Sequence, residues 1–349
     1  MKLKIFFWLL LFCSFVGCGP KNKMKTIVET IPESRVDAAP EQFNTACHRI
    51  SEHPAHVEES ERSFDLGATT FDKWLPLILK SRGLDAEGET HTIVIPNWLV
   101  IELMAAAKTY KASGSIMKAS LAEMKTEAPF CDLSFLSNAL NNTGWFCRAD
   151  DVSGKDGVGS EIPLRNVDQL LTLLVTSWRL HGAYARHLAH NVTNVTNVTN
   201  DSPFRLHFLP WDLKADTRTE FRVFVAPTLD EDAAFTKARV TGISQYSWWQ
   251  PILPEMEAKI PQVAEAAINM LEQIKSQPAS LCEPLRQGFT FDLQCRDDKV
   301  QLIELNGFGA LQATGACLFN WVTDRHILYD AESADPEGTE GTIVFRICK

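Results

Sequence analysis

Three oxygen-bearing side chains in the last third of the chain have the types and spacing to do chemistry. In "VQLIELNGFG" (300–309), Glu304 and Asn306 are two apart in an apolar run that breaks at Gly307 and Gly309. Just upstream, "FTFDLQC" (289–295) sets Asp292 among Phe289, Phe291, Leu293 and Cys295. Strand side chains alternate in direction, so Glu304 and Asn306 share a face, by regular alternation also that of Val300 and Leu302, and Asp292 stands opposite its apolar neighbours. The connection "RDDK" makes register decisive. A two-residue Asp297-Asp298 turn pairs Asp292 with Ile303 and turns the carboxylates apart; a three-residue loop pairs Asp292 with Glu304 beside Asn306. We expect the second register. Two carboxylates and an amide gathered in this way suit a hard divalent cation such as Mg²⁺, which takes one or two carboxylates together with substrate phosphates and water. The competing reading is a set of solvated polar positions on a half-exposed hairpin.

Two further clusters carry cations. "WFCRADDVSGKDG" (145–157) reads as a strand delivering Arg148 into a Ser/Gly loop with Lys155 and Asp156. Cations on a flexible loop suit phosphate binding, although the Walker spacing is absent and an ordinary charged surface turn has the same composition. "TEFRVFV" (219–225) places Arg222 between Phe221 and Val223, where an arginine faces solvent, pairs with a carboxylate, or meets a ligand phosphate.

The elements that must position these residues belong to an ordinary globular chain of 349 residues, 45% hydrophobic and 22% charged, long enough for one or two domains. Its formal net charge of −10 argues against a nucleic-acid or anionic-membrane binder. "MKLKIFFWLLLFCSFVGCGPKNK" (1–23) has the layout of a secretory or lipoprotein leader, with an apolar run short for a membrane span; a gene-model extension upstream of Met24 is the alternative. The 9 cysteines lack C-x-x-C or Cys/His spacing, which excludes a zinc motif and suits buried thiols. "NVTNVTNVTN" (191–200) holds acceptor sequons at Asn191, Asn194 and Asn197, with another at Asn141, and reads chiefly as a repeat-expanded polar loop.

Along the chain we expect a signal-like segment over 1–23, a poorly ordered stalk over 24–65, and an N-terminal lobe with the phosphate-binding loop over 66–190. A low-complexity loop at 191–201, a C-terminal lobe with the metal site at 202–330 and a tail at 331–349 follow. "TIVIP" (92–96) reads as a strand and "NWLVIELMAAAKTYKAS" (97–113) as a helix. Residues 167–190 read as one helix capped at Asn166, and "PQVAEAAINMLEQIKSQ" (261–277) as a long helix. His181, His187 and His190 form the polar face of the first of these. Strands and helices mix without strict alternation, which predicts an α+β fold and not a doubly wound one.

Taken together, the segments "FDKWLP" (71–76), "FCRADDVSGKDG" (146–157), "EFRVFV" (220–225), "GISQY" (242–246), "FDLQ" (291–294) and "LIELNGFG" (302–309) resemble, in preserved order, motifs of the cell division cycle protein 123 family. The resemblance spans about residues 66–325. It implies an ATP-grasp-like fold, two lobes with a nucleotide cleft between antiparallel sheets. It implies Mg²⁺ on Asp292, Glu304 and Asn306, and phosphate contacts from Arg148, Lys155 and Asp156 on the loop and from Arg222. It further implies that the inter-lobe strand "LHFLPW", with Leu206, Phe208, Leu209 and Trp211, reads adenine through its backbone. The departures are Glu304 where the family has aspartate, and glycines at 154 and 307 where it has prolines, which predict looser turns.

By that resemblance the chain is a cytoplasmic, ATP- and Mg²⁺-binding chaperone that promotes assembly of translation initiation factor 2 through its gamma subunit. It would bind no nucleic acid and meet a membrane only through residues 1–23. An ATP-grasp carboxylate–amine or carboxylate–thiol ligase, and a membrane-tethered or exported relative with a vestigial nucleotide site, are the alternatives.

Overall fold

The structure, a computed structural model, describes residues 25–46, 66–84, 89–137, 143–192, 203–228, 235–312, 314–329 and 341–349. The leader, Cys47, Asn141, and the sequons at Asn194 and Asn197 lie outside the described residues. In chain order the elements used below are β1 (Lys25–Ile31), α1 (Phe71–Arg82), β2 (His91–Ile95), α2 (Asn97–Ser113), β3 (Trp145–Ala149), α3 (Val167–Thr176), α4 (Trp178–Val192), β4 (Phe204–Pro210), β5 (Glu220–Val225), β6 (Val240–Gln245), α5 (Ile260–Lys275), β7 (Phe289–Arg296), β8 (Lys299–Asn306) and β9 (Thr342–Cys348). They build a six-stranded sheet in the order β1-β9-β6-β5-β7-β8 and a three-stranded sheet in the order β2-β4-β3. The smaller sheet is antiparallel. The larger is antiparallel from β6 to β8, with β9 parallel to both β6 and β1. The fold is mixed α and β, as the irregular alternation of elements predicts.

Apolar spacing explains the packing. Along α5, Ile260, Val263, Ala264, Ala267, Leu271 and Ile274 recur at helical period and are buried, so one stripe faces the large sheet. Opposite it lie Phe221, Val223, Phe289, Phe291 and Leu293, joined in one core with Trp74 and Ile78 of α1. A second core packs α2, α3 and α4 against the smaller sheet through Leu99, Leu103, Leu170, Leu174, Tyr184 and Phe208. The outer strand β8 is covered by α1: Leu302 donates its N–H to Ser81 Oγ at 2.9 Å and accepts from Arg82 Nε at 3.2 Å. These contacts satisfy an edge that would otherwise invite pairing with another chain.

Two expectations for the ends are overturned. Residues 25–31 are not part of a loose stalk; they form β1, paired in register from Lys25 with Thr342 to Ile31 with Cys348. Residues 342–348 are not a tail; β9 lies between β1 and β6, with Ile343, Phe345 and Ile347 buried. The stretch 167–190 is also two helices and not one. Asn166 caps α3 through Gln169 N–H as expected, but the chain breaks at Ser177 before α4 starts.

Candidate functional site

The β7–β8 hairpin sets Asp292 directly opposite Glu304, and Thr290 opposite Asn306. That is the expected pairing reached by a different route. The turn holds two residues, Asp297 and Asp298, both at positive φ (44° and 63°), the backbone of a tight hairpin turn that aspartate tolerates. Near the turn the pairs run Arg296–Lys299 to Leu293–Leu302, and the register then shifts between Leu293 and Asp292. Ile303 is the extra residue of a β-bulge. Because of it, Leu302 and Leu305 both enter the core, so Val300 and Leu302 do not share the face of Glu304 and Asn306 as strict alternation predicts.

Each carboxylate is already held by an arginine. Arg222, opposite Asp292 on β5, donates from Nε to Oδ1 at 2.8 Å and from Nη2 to Oδ2 at 2.7 Å, and its Nη1 donates to Gly315 O at 2.6 Å. Arg148, from β3 of the other sheet, donates from Nη1 to Glu304 Oε2 at 2.6 Å and lies 4.2 Å from the centre of the Phe71 ring. Asn306 Nδ2 donates to Asp292 Oδ2 at 3.3 Å. These are charge-assisted contacts; the Arg222 fork is bidentate and the Arg148 contact is single.

Burial raises the Asp292 carboxyl against the downward pull of Arg222. For Glu304 burial is outweighed: Arg148 first, then Lys155 and Arg222, hold its carboxyl down to about 2. Glu220, two residues before Arg222 on the same face, is pushed up to about 7 by burial and by the nearby charges of Asp292 and Glu304. Arg82 is lowered to about 10 by burial and by Arg148. Arg82, Arg148, Lys155 and Arg222 thus gather with Glu220, Asp292, Glu304 and, beside Arg82, Asp212, in a chain whose overall charge is −10. Such a concentration of cations in an acidic protein gives an anionic ligand groups to pair with.

Of the remaining predicted residues, Lys155 reaches this cluster, donating to Tyr246 Oη at 2.9 Å, while the Arg222 guanidinium lies 5.1 Å from the Tyr246 ring centre. Asp156 does not reach it. Its Oδ1 accepts from Ser177 Oγ at 2.5 Å, and its Oδ2 accepts from the N–H groups of Trp178 and Arg179 at 3.0 and 3.2 Å. It fastens the loop to the start of α4, and this is what breaks the helix at Ser177. The loop is also not loosened by Gly154: a Cβ there would lie 2.8 Å from Leu180 Cδ1 and 3.3 Å from Leu173, so the glycine permits close packing. A Cβ at Gly307 would likewise lie 3.0 Å from Gln312 Cγ.

Leu206 and Phe208 are completely buried, and β4 is paired on both sides at these positions, which commits their backbone groups to the sheet. Leu209 is buried and pairs only with Phe146, and Trp211 donates its N–H to Gly144 O at 2.9 Å. Trp211, Phe146, Lys155 and Ile162 line a cavity of about 10 Å³, room for one water molecule.

Sequence reasoning missed Arg82, Glu220, Tyr246 and Gln294. Gln294 pairs with Glu220 across β5–β7, is buried, and its Nε2 has no hydrogen-bond partner. The period-2 pattern of "EFRVFV" and "FDLQC" puts Glu220 with Arg222 and Gln294 with Asp292; that signal was available. Nothing local marks Arg82. Among the described residues no three His, Cys, Asp or Glu side chains converge as metal ligands; the third oxygen donor here is the Asn306 amide. Asp292, Glu304 and Asn306 are hard oxygen donors on one face, a set that fits Mg²⁺.

No family model matches the chain, and no curated protein matches it by sequence. Its fold is similar to that of Cdc123 from Schizosaccharomyces pombe: TM-score 0.52 and 18% identity over 83% of this chain and 98% of that one. A C-terminally truncated Cdc123 from the same organism gives TM-score 0.52 and 18% identity, over 80% and 96% of the two chains. The order of β-strands and the polar face of β5–β7–β8 therefore belong to a chain with the Cdc123 fold.

Proposed function

We propose that this chain binds Mg²⁺ and ATP between its two sheets and acts as a Cdc123-like assembly factor for translation initiation factor 2, engaging the gamma subunit in the cytoplasm. The observation that carries the reading is the gathering of Asp292, Glu304 and Asn306 on β7–β8 with Arg222 beside them on β5, where Arg148 reaches Glu304 from the smaller sheet and Lys155 reaches Tyr246 from the loop after β3. Oxygen donors with cations close around them are what a metal–polyphosphate complex requires. In the bound state Asp292, Glu304 and Asn306 would hold the cation, and Arg148 and Lys155 would neutralise phosphate. Arg222 would stay on Asp292 and orient it.

Among the described residues no helix is long and apolar enough to cross a bilayer; residues 1–23, the segment expected to meet a membrane, lie outside them. The test is calorimetric titration of Mg-ATP into the purified protein and into Asn306→Ala and Glu304→Ala. Saturable binding to the parent, weakened at least about tenfold in both variants, supports the reading. No binding to the parent removes it. Capture of purified initiation factor 2 gamma subunit, with and without Mg-ATP, tests the partner, and steady ATP turnover without added substrates would point to an enzyme instead.

A further inference from the structure

Glu304 is the carboxylate a cation has to reach, and Arg148 is already on it. The two arginines of the site are not held alike. Arg222 has Nε, Nη1 and Nη2 all bonded, two of them to the same carboxylate. Arg148 has one bond to Glu304 at 2.6 Å and one to Ala149 O at 3.3 Å, with its plane resting on Phe71. Its second terminal nitrogen has no acceptor among the described residues. The side chains of Arg148 and Glu304 are 6% and 20% exposed, too buried for either charge to be stripped of its partner without large cost. A group that takes Arg148 must therefore arrive with one that takes Glu304.

We infer that Arg148 stands on Glu304 where a divalent cation binds, so that cation and polyphosphate enter as a pair, the phosphate drawing Arg148 away as the cation replaces it. This rests on the reading of the cleft as a cation–polyphosphate site, and adds that the two ligands are coupled through one ion pair. The coupling is reciprocal, as linkage requires. Arg148 comes from β3 and Glu304 from β8, so the same exchange releases one of the links between the two sheets. Lys155 and Arg82 remain as further cations near the phosphate, Arg222 stays on Asp292, and Glu220 and Asp292 are the acidic groups near the metal.

The experiment uses the full chain, Arg148→Gln and Glu304→Gln, with two probes that contain no nucleotide. Mn²⁺ binding is read by water-proton relaxation with no phosphate present, and inorganic tripolyphosphate binding by calorimetry in EDTA. Arg148→Gln is expected to bind Mn²⁺ alone about tenfold more tightly than the parent, and Glu304→Gln to bind metal-free tripolyphosphate about tenfold more tightly. Both are gains of affinity, which misfolding does not produce. The proposal is overturned if Arg148→Gln shows no gain for Mn²⁺ or Glu304→Gln none for tripolyphosphate. Reciprocal gains in a protein that fails to bind Mg-ATP keep the exchange and remove the nucleotide reading; Mg-ATP binding without the gains does the reverse.

Discussion

Arg222 and Asp292 lie directly opposite each other on β5 and β7, and two hydrogen bonds of 2.8 and 2.7 Å close a fork between them in a place with almost no solvent. A pair this buried is costly to break from one side, because the remaining charge has no water to return to. Arg222→Leu should lower unfolding free energy by about 3–5 kcal/mol, read by urea denaturation. The double variant Arg222→Leu, Asp292→Leu should recover most of that loss. A double variant no more stable than the single one would show that the pair is not the source.

Glu304 supplies an acid limb. Its folded value near 2 lies below its ordinary 4.5, so its stabilisation is complete above about pH 4.5 and is lost as the pH falls towards 2. About 3 kcal/mol of stability should disappear across that window. Arg148→Gln removes the main cause of the depression, so the difference between parent and variant should shrink as the pH falls from 5 to about 2. A constant difference would mean that Glu304 is not held down by Arg148.

Glu220 has the opposite sign. A carboxyl raised to about 7 in the folded chain is protonated there at pH values where the unfolded chain has already ionised it, so stability declines between its ordinary 4.5 and about 7. Glu220→Gln should abolish that decline and be more stable than the parent at pH 8, by on the order of 3 kcal/mol. Parallel pH profiles for the two proteins would show that Glu220 titrates normally.

Asp156 ties the loop to α4. Asp156→Ala leaves Ser177 Oγ and the N–H groups of Trp178 and Arg179 without their acceptor and should cost about 1–2 kcal/mol. Asp156→Asn should cost less. Hydrogen exchange at Trp178 and Arg179 should accelerate in Asp156→Ala, while exchange in α5 does not change; uniform acceleration would indicate global destabilisation instead.

The bulge at Ile303 gives an unusual deletion test. Removing Ile303 turns the irregular ladder into a regular one that keeps Leu293 opposite Leu302 and Asp292 opposite Glu304. The deletion should fold with a loss of about 1–2 kcal/mol, from one half-buried aliphatic side chain. Deleting Gln301 instead puts Ile303 in the core place of Leu302 and moves Leu302 opposite Gln294, and should cost more than the deletion of Ile303. Equal damage from both deletions would show that the bulge is not what sets the register.

Much of the fold was legible because it depends on local pattern. The stripe of α5, the cap at Asn166, the β-branched run at 92–95 and the alternation in "FTFDLQC" need only near neighbours. The partnership of Asp292, Glu304 and Asn306 was legible too, although the two-residue turn and the bulge that produce it were not: hydrophobic period predicts faces, and a single inserted residue changes the count without changing the composition. The alternation of "TIVFRIC" could have marked β9, yet its place between β1 and β6 could not be read, since Lys25 and Thr342 are joined only by the folded sheet.

The sequence by itself determined which residue types line the β5–β7–β8 face and that they include hard oxygen donors and an arginine. Tertiary structure decided who meets whom: Arg148 reaches Glu304 from another sheet, Arg82 enters from the helix covering β8, and Asp156 turns away to cap α4. The physical reason is that side-chain direction follows from local backbone period, whereas charge pairing in a buried cleft depends on distances between segments far apart in the chain.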